Sequence, residues 1–127
     1  MTTFLRAATL TNFEQVAREC GLDGRALVQE VGLPVRCLSE PDLRLPALAV
    51  GELLELAARR ANEPGFGLRM AASRRLSNLG PLGLLLRDQP TLRHALEALV
   101  TYLHTHAEAL SVSMVEEGDQ VIIREEA

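Results

Sequence analysis

Along most of the chain apolar residues recur at helical spacing, and only near the end does the period switch to two. Thr11-Asn12-Phe13-Glu14 has the order of a capping box, with Thr11 accepting from the backbone N–H three residues on and Glu14 reaching back. It predicts a helix to Cys20 with Phe13, Val16 and Ala17 on one face, stopped by a left-handed Gly21. Asp23 caps a second short helix, with Ala26, Leu27 and Val31 inward, which Gly32 ends. Leu33 precedes Pro34 and so avoids the helical region. Residues 34–44 read as a connecting stretch. Pro46 suits the first turn of a third helix that runs to about Ala61, striped by Leu53, Leu54, Leu56 and Ala57.

Asn62, Pro64 and Gly65 break the chain before a fourth helix, about Gly67 to Leu76, with Leu68 and Ala72 inward and Arg69, Arg74 and Arg75 outward. Residues 78–86 are apolar nearly all round, which predicts a short buried helix. Pro90-Thr91 opens the clearest helix, in which Leu92, Ala95, Leu96, Leu99, Val100 and Leu103 repeat to about His106. Leu110, Val112 and Met114 then alternate with Ser111 and Ser113, Glu117-Gly118-Asp119 turns the chain, and Val121 to Arg124 returns. The expected fold class is α+β: mainly helical, with five to six short helices followed by a C-terminal β-hairpin. A lone hairpin is marginal in water, so the chain is expected either to continue beyond it or to dimerise there.

At 127 residues the chain fits one domain. Only 3% of it is aromatic, with no Trp, so the core is aliphatic and no ring-rich surface for stacking bases exists. The net charge is −4, which opposes binding to phosphate backbones. The 13 basic residues are all Arg, and they are unevenly spread: residues 59–93 hold seven Arg against Glu63 and Asp88, a local net of +5, whereas the tail from Glu108 is −5. Two solvated faces of opposite sign account for this. Cys20 and Cys37 are too few for a disulfide framework, and no secretory or membrane-spanning segment is evident, so a cytoplasmic protein with reduced thiols is expected.

Candidate chemistry is sparse. Ala17, Gly21 and Leu27 have the small–turn–apolar spacing of a helix-turn-helix, but residues 1–31 carry a net charge of −1, so no DNA-binding residue is expected in this chain. His104 and His106 are two apart on one helix and face opposite ways, His94 is almost three turns off, and the cysteines lack zinc spacing, so no metal site is expected. Ser73, Ser77, Ser111 and Ser113 sit in no nucleophile elbow, and Gly80-Pro81-Leu82-Gly83 lacks the strand and Lys of a phosphate loop. Neither an enzyme nor a cofactor is expected. The remaining signal is the set Arg69, Arg74, Arg75, Arg87 and Arg93 beside the apolar stretch 79–86. A greasy wall next to guanidinium groups suits a small amphipathic anion, and Arg69, Arg74, Arg87 and Arg93 are the candidate ligand contacts. The same side chains also read as solvated helix-end charges.

Seven segments then come in a recognisable order: Gly21-Leu22-Asp23, Leu33-Pro34, Glu40-Pro41-Asp42-Leu43-Arg44-Leu45-Pro46, Leu53-Leu54-Glu55-Leu56-Ala57, Gly65-Phe66-Gly67-Leu68-Arg69, Leu79-Gly80-Pro81-Leu82-Gly83 and Pro90-Thr91-Leu92-Arg93-His94-Ala95-Leu96. Together they resemble the N-terminal, arabinose-binding-like sensor domain of AraC-type transcription regulators, over about Leu10 to Glu125. The resemblance implies an effector-binding or assembly domain. It would control a C-terminal helix-turn-helix domain that lies outside this chain, so the chain reads as a truncated piece of a longer regulator. The implied partners are a small-molecule effector of unknown identity and, through the missing domain, DNA. Pro41, Arg44, Gly67 and Pro81 read as structural. The alternative is a stand-alone helical interaction module that forms a homodimer.

Overall fold

The computed structural model describes residues 3–106 and 110–126, and the chain falls into two compact units, Met1–Arg74 and Arg75–Ala127. The first is organised by two phenylalanines. Phe13 opens helix α1 (Phe13–Glu19) and Phe66 opens a helix over Phe66–Ala71. Both are fully buried, with ring centroids 5.7 Å apart and planes tilted by 59°, an arrangement that ring quadrupoles favour over face-to-face stacking. Helix α2 (Gly24–Glu30) closes on this pair because its first residue has no side chain. A Cβ at Gly24 would lie 3.3 Å from the Phe13 ring and 3.4 Å from the Ala17 methyl. Helix α3 (Ala47–Ala61) adds Val50, Leu53 and Ala57 to the same core. The Phe66–Ala71 helix, α4, contributes Phe66 and Met70.

Chain stops and starts follow local chemistry. Asp23 caps α2, accepting from the N–H groups of Arg25 (3.1 Å) and Ala26 (3.2 Å). Gly21 (φ 77°) and Gly32 (φ 81°) take the left-handed conformation that ends α1 and α2. Asn62 does the same for α3 at φ 50°. An exposed two-pronged pair from Arg60 to Glu30 (2.6 and 2.5 Å) ties α3 to α2, and its hydrogen bonds hold the Glu30 carboxyl below its usual range. Two short strands that the periodicity does not predict, β1 (Phe4–Arg6) and β2 (Arg44–Pro46), pair antiparallel with Leu5 opposite Leu45. They join the start of the chain to the lead-in of α3.

The second unit begins with a 3₁₀ turn (Leu76–Leu79) and helix α5 (Pro81–Arg87). Helix α6 (Leu92–His106) follows, its third N–H bonded to the Thr91 hydroxyl at 3.1 Å. Strands β3 (Ser111–Glu117) and β4 (Gln120–Glu126) form a hairpin with Glu117 opposite Gln120, turned by Gly118 at φ 62°. β3 lies on α6, with Val112 and Met114 half-buried and Glu116 ion-paired to Arg93. β4 is exposed throughout, including Val121, Ile122 and Ile123. The α+β, mainly helical class with a closing hairpin is what the periodicity predicts.

Five local expectations are corrected. Thr11 does not cap α1: its hydroxyl donates to the Ala8 carbonyl (2.6 Å), and Asn12, at φ 72°, takes the cap position with no side-chain bond. Ala26 is exposed and Val28 is buried in its place, because the α2 face is set by Gly24 lying on Phe13 and Ala17. α4 runs over Phe66–Ala71, and its inward residues are Phe66 and Met70, so Leu68 (79% exposed) and Ala72 face outward on the opposite side. The 78–86 stretch is not buried all round: only Leu82 and Gly83 of α5 are buried, and Leu84 and Leu85 are exposed, since two turns of helix offer one face to α6 and the 3₁₀ turn. Leu92 is exposed at the first turn of α6 and is not part of its inward face.

Glycine substitutions separate close approach from open surface. Gly51, in the middle of α3 with nothing within 4 Å of where a Cβ would sit, should gain about 1 kcal/mol of stability as Gly51→Ala. Gly24→Leu forces a branched side chain between α1 and α2 and should lose about 1–3 kcal/mol. Urea unfolding measures both, and equal effects would contradict the packing described.

Candidate functional site

A cleft of about 510 Å³ opens in the first unit, within the range of small-molecule sites. Its walls come from the segment 7–15, from 37–41 and from Ser73. Ala7, Ala8, Leu10, Cys37, Leu38 and Pro41 are its apolar part, and Thr11, Asn12, Glu14, Gln15, Ser39 and Ser73 its polar part. Cys37 is buried, and burial raises its thiol pKa, so it stays a protonated, inert part of the wall.

The segment 7–10, a 3₁₀ turn, is pinned from three sides. Ala7 N–H donates to the Leu43 carbonyl (2.7 Å) and Ala8 N–H to the Pro41 carbonyl (2.9 Å). The Ala8 carbonyl accepts from the Thr11 N–H (3.0 Å), the Thr11 hydroxyl (2.6 Å) and Arg74 (3.1 Å). Arg74 also donates to the Thr9 carbonyl. Partial desolvation pulls the guanidinium pKa down from the usual value, though never far enough to discharge it. Arg74, exposed as expected, also reaches back onto the turn, adding a donor to the Ala8 carbonyl and supplying one to the Thr9 carbonyl.

The other predicted contacts are distributed as follows. Arg69 donates to Glu19 (2.8 Å) and to the Cys20 sulfur (3.1 Å), with Glu63 at 3.9 Å. Arg69 and Arg74 thus lie in the first unit, bonded to different groups. Arg87 and Arg93 lie in the second. Arg93 is engaged by Glu116, which raises its pKa. Among the described residues Arg87 meets only its neighbour Asp88, at 3.4 Å, and it edges a pocket of about 320 Å³ with Leu76, Ser77, Gly80, Gly83 and Leu84. The cleft in the first unit is not foreseen from sequence. Its one advance sign is the run of polar residues at Thr11, Asn12, Glu14 and Gln15, part of which residue order assigns to helix capping.

Of the histidines, His94 shares a 2.6 Å hydrogen bond with Thr91, His104 is exposed, and the His106 side chain lies outside the described residues. Among the described residues no three His, Cys, Asp or Glu side chains gather as a metal would require, and no helix is long and apolar enough to cross a membrane.

Residues 21–127 match the family described as the arabinose-binding domain of AraC transcription regulator, N-terminal. The chain is also 30% identical over 112 residues to the HTH-type transcriptional regulator VirS of Mycobacterium tuberculosis, in strain CDC 1551 / Oshkosh and equally in strain ATCC 25618 / H37Rv. Each alignment covers 88% of this chain and 33% of the relative, so the chain spans about a third of the length of the curated proteins it matches. The class is therefore a domain of transcription regulators, which is not an enzyme family. The chain belongs to the family of N-terminal, arabinose-binding domains of AraC transcription regulators.

Replacing Arg74 by Ala leaves the Thr9 carbonyl without its guanidinium donor and should lower stability by about 1–3 kcal/mol. Replacing exposed Arg36, which pairs with Glu40 at 3.4 Å, should change it by under about 0.5 kcal/mol. Thermal or urea unfolding of the two variants checks the difference, and equal losses would contradict the structural role of Arg74.

Proposed function

We propose that this chain is the regulatory part of an AraC-type transcription regulator, taking in an effector or assembly signal and passing it to a helix-turn-helix domain C-terminal to it. The observation that carries this is the family match over residues 21–127. The one-third coverage of the VirS proteins and the net charge of −4 support it. Regulation then requires that the signal bind two states of the whole regulator with different free energies. Of the four candidate arginines, Arg87 is the one we retain as an effector contact, because it edges an apolar pocket and among the described residues is bonded only to exposed Asp88. Arg69, Arg74 and Arg93 hold other parts of the protein in place.

The reading frame extended downstream of codon 127, expressed as one polypeptide, should retain operator duplex in a gel shift, and the 127-residue chain alone should retain none even at low salt. A frame that stops at codon 127, or duplex retained by the short chain, overturns the proposal.

A further inference from the structure

The cleft in the first unit has an unusual donor balance. A hydroxyl has one hydrogen to give and two lone pairs to accept with. Three hydroxyls line this cleft, and each gives its hydrogen to a backbone carbonyl: Thr11 to Ala8 at 2.6 Å, Ser39 to Arg36 at 3.2 Å and Ser73 to Met70 at 3.4 Å. What they present otherwise is lone pairs. Glu14 also lines the cleft, and its carboxylate, an acceptor only, pairs with no cation among the described residues. No Arg is among the lining residues, and the three that adjoin them in sequence are engaged elsewhere: Arg6 by Asp42, Arg36 by Glu40, and Arg74 by the Ala8 and Thr9 carbonyls. Asn12 stands at the cleft in a left-handed backbone conformation, φ 72°, with a carboxamide that caps nothing. Asn is the residue other than Gly that most readily takes this conformation, as Asn62 also does, and among the described residues it leaves the Asn12 carboxamide free at the cleft.

With the Gln15 N–H given to Glu19 and the Asn12 carboxamide able to turn either its oxygen or its NH2 to a ligand, the three hydroxyl oxygens and the Glu14 carboxylate make the lining acceptor-rich and net negative, which disfavours carboxylates and phosphates. It leaves a neutral alcohol only part of its bonding. A group with several N–H donors and a positive charge matches the carboxylate and the free hydroxyl lone pairs better than a neutral alcohol does, and the apolar wall of Ala7, Leu10 and Pro41 suits a short alkyl chain. We infer that this cleft binds a small aliphatic amine in its ammonium form, with Glu14 as the charge partner and the Asn12 carboxamide oxygen and the Thr11, Ser39 and Ser73 hydroxyl oxygens as hydrogen-bond acceptors. The inference names a ligand class for the regulator reading above, yet it is tested without DNA. A failure of amine binding leaves that reading standing, and a reading frame that ends at codon 127 leaves the amine site standing.

The test is isothermal titration of the whole 127-residue chain with 1,4-diaminobutane, and with 1,4-butanediol as the uncharged molecule of the same length. Saturable binding of the diamine, at least about tenfold tighter than the diol, is expected from charge-assisted bonding. Glu14→Gln should weaken the diamine about tenfold or more and leave the diol unchanged. Asn12→Gly keeps the left-handed backbone free of strain while removing the carboxamide, so it should fold as well as the parent and bind the diamine more weakly. Equal affinities for diamine and diol, no diamine binding, or unchanged diamine binding in a folded Glu14→Gln protein would each overturn the assignment. Should Glu14→Gln fail to fold, the Asn12→Gly comparison decides: an unchanged diamine affinity there overturns it.

Discussion

The contact between Phe13 and Phe66 is the constraint from which the first unit follows. Four aromatic side chains are few for 127 residues, and two of them are spent on this one buried pair. Because each ring opens a helix, their contact brings the starts of α1 and α4 together although the chain between them is long. α2 can reach the pair only through Gly24, and α3 covers it with Val50, Leu53 and Ala57. With Phe13 turned inward, the residues beside it on the first turn of α1 are left to the cleft, which is how Asn12, Glu14 and Gln15 come to line it. The far end of α4 leads directly to Ser73 and Arg74, one on the cleft and the other holding the turn at Ala8 and Thr9.

Much of this is legible in residue order where a local rule acts alone. Asp23 as a cap, Gly21 and Gly32 as stops, the long α3 and α6, and the hairpin turned at Gly118 all depend on neighbours within a few positions. The failures fall where distant contacts decide. Three-residue strands at Phe4–Arg6 and Arg44–Pro46 carry no period to read. α4 is six residues long, and over so short a span Leu68 and Ala72 make as good a stripe as Phe66 and Met70, until Phe13 chooses between them. Thr11 has the order of a capping box, but the Ala8 carbonyl takes its proton.

The site is less legible than the fold for a related reason. Residue order singles out arginines beside a leucine-rich stretch, and the charge excess there is real. Which guanidinium groups remain available is settled by partners far along the chain: Arg69 by Glu19, Arg74 by Ala8 and Thr9, and Arg93 by Glu116. The character of the cleft is likewise set by where three hydroxyl protons go, which no pattern of residue types records. Membership of the AraC N-terminal family rests on the ordered match across residues 21–127. The family describes what kind of protein contains this fold, and the side-chain bonding describes what this chain's own surfaces favour.

If the two rings act as one unit, a double-mutant cycle reads their coupling directly. Phe13→Leu, Phe66→Leu and the combined variant would be unfolded in urea beside the parent. A coupling energy of about 0.5–1.5 kcal/mol between the two positions is expected for a tilted aromatic pair. Strict additivity, within about 0.3 kcal/mol, would mean that the rings are buried side by side without holding α1 to α4, and would contradict the central role assigned to their contact.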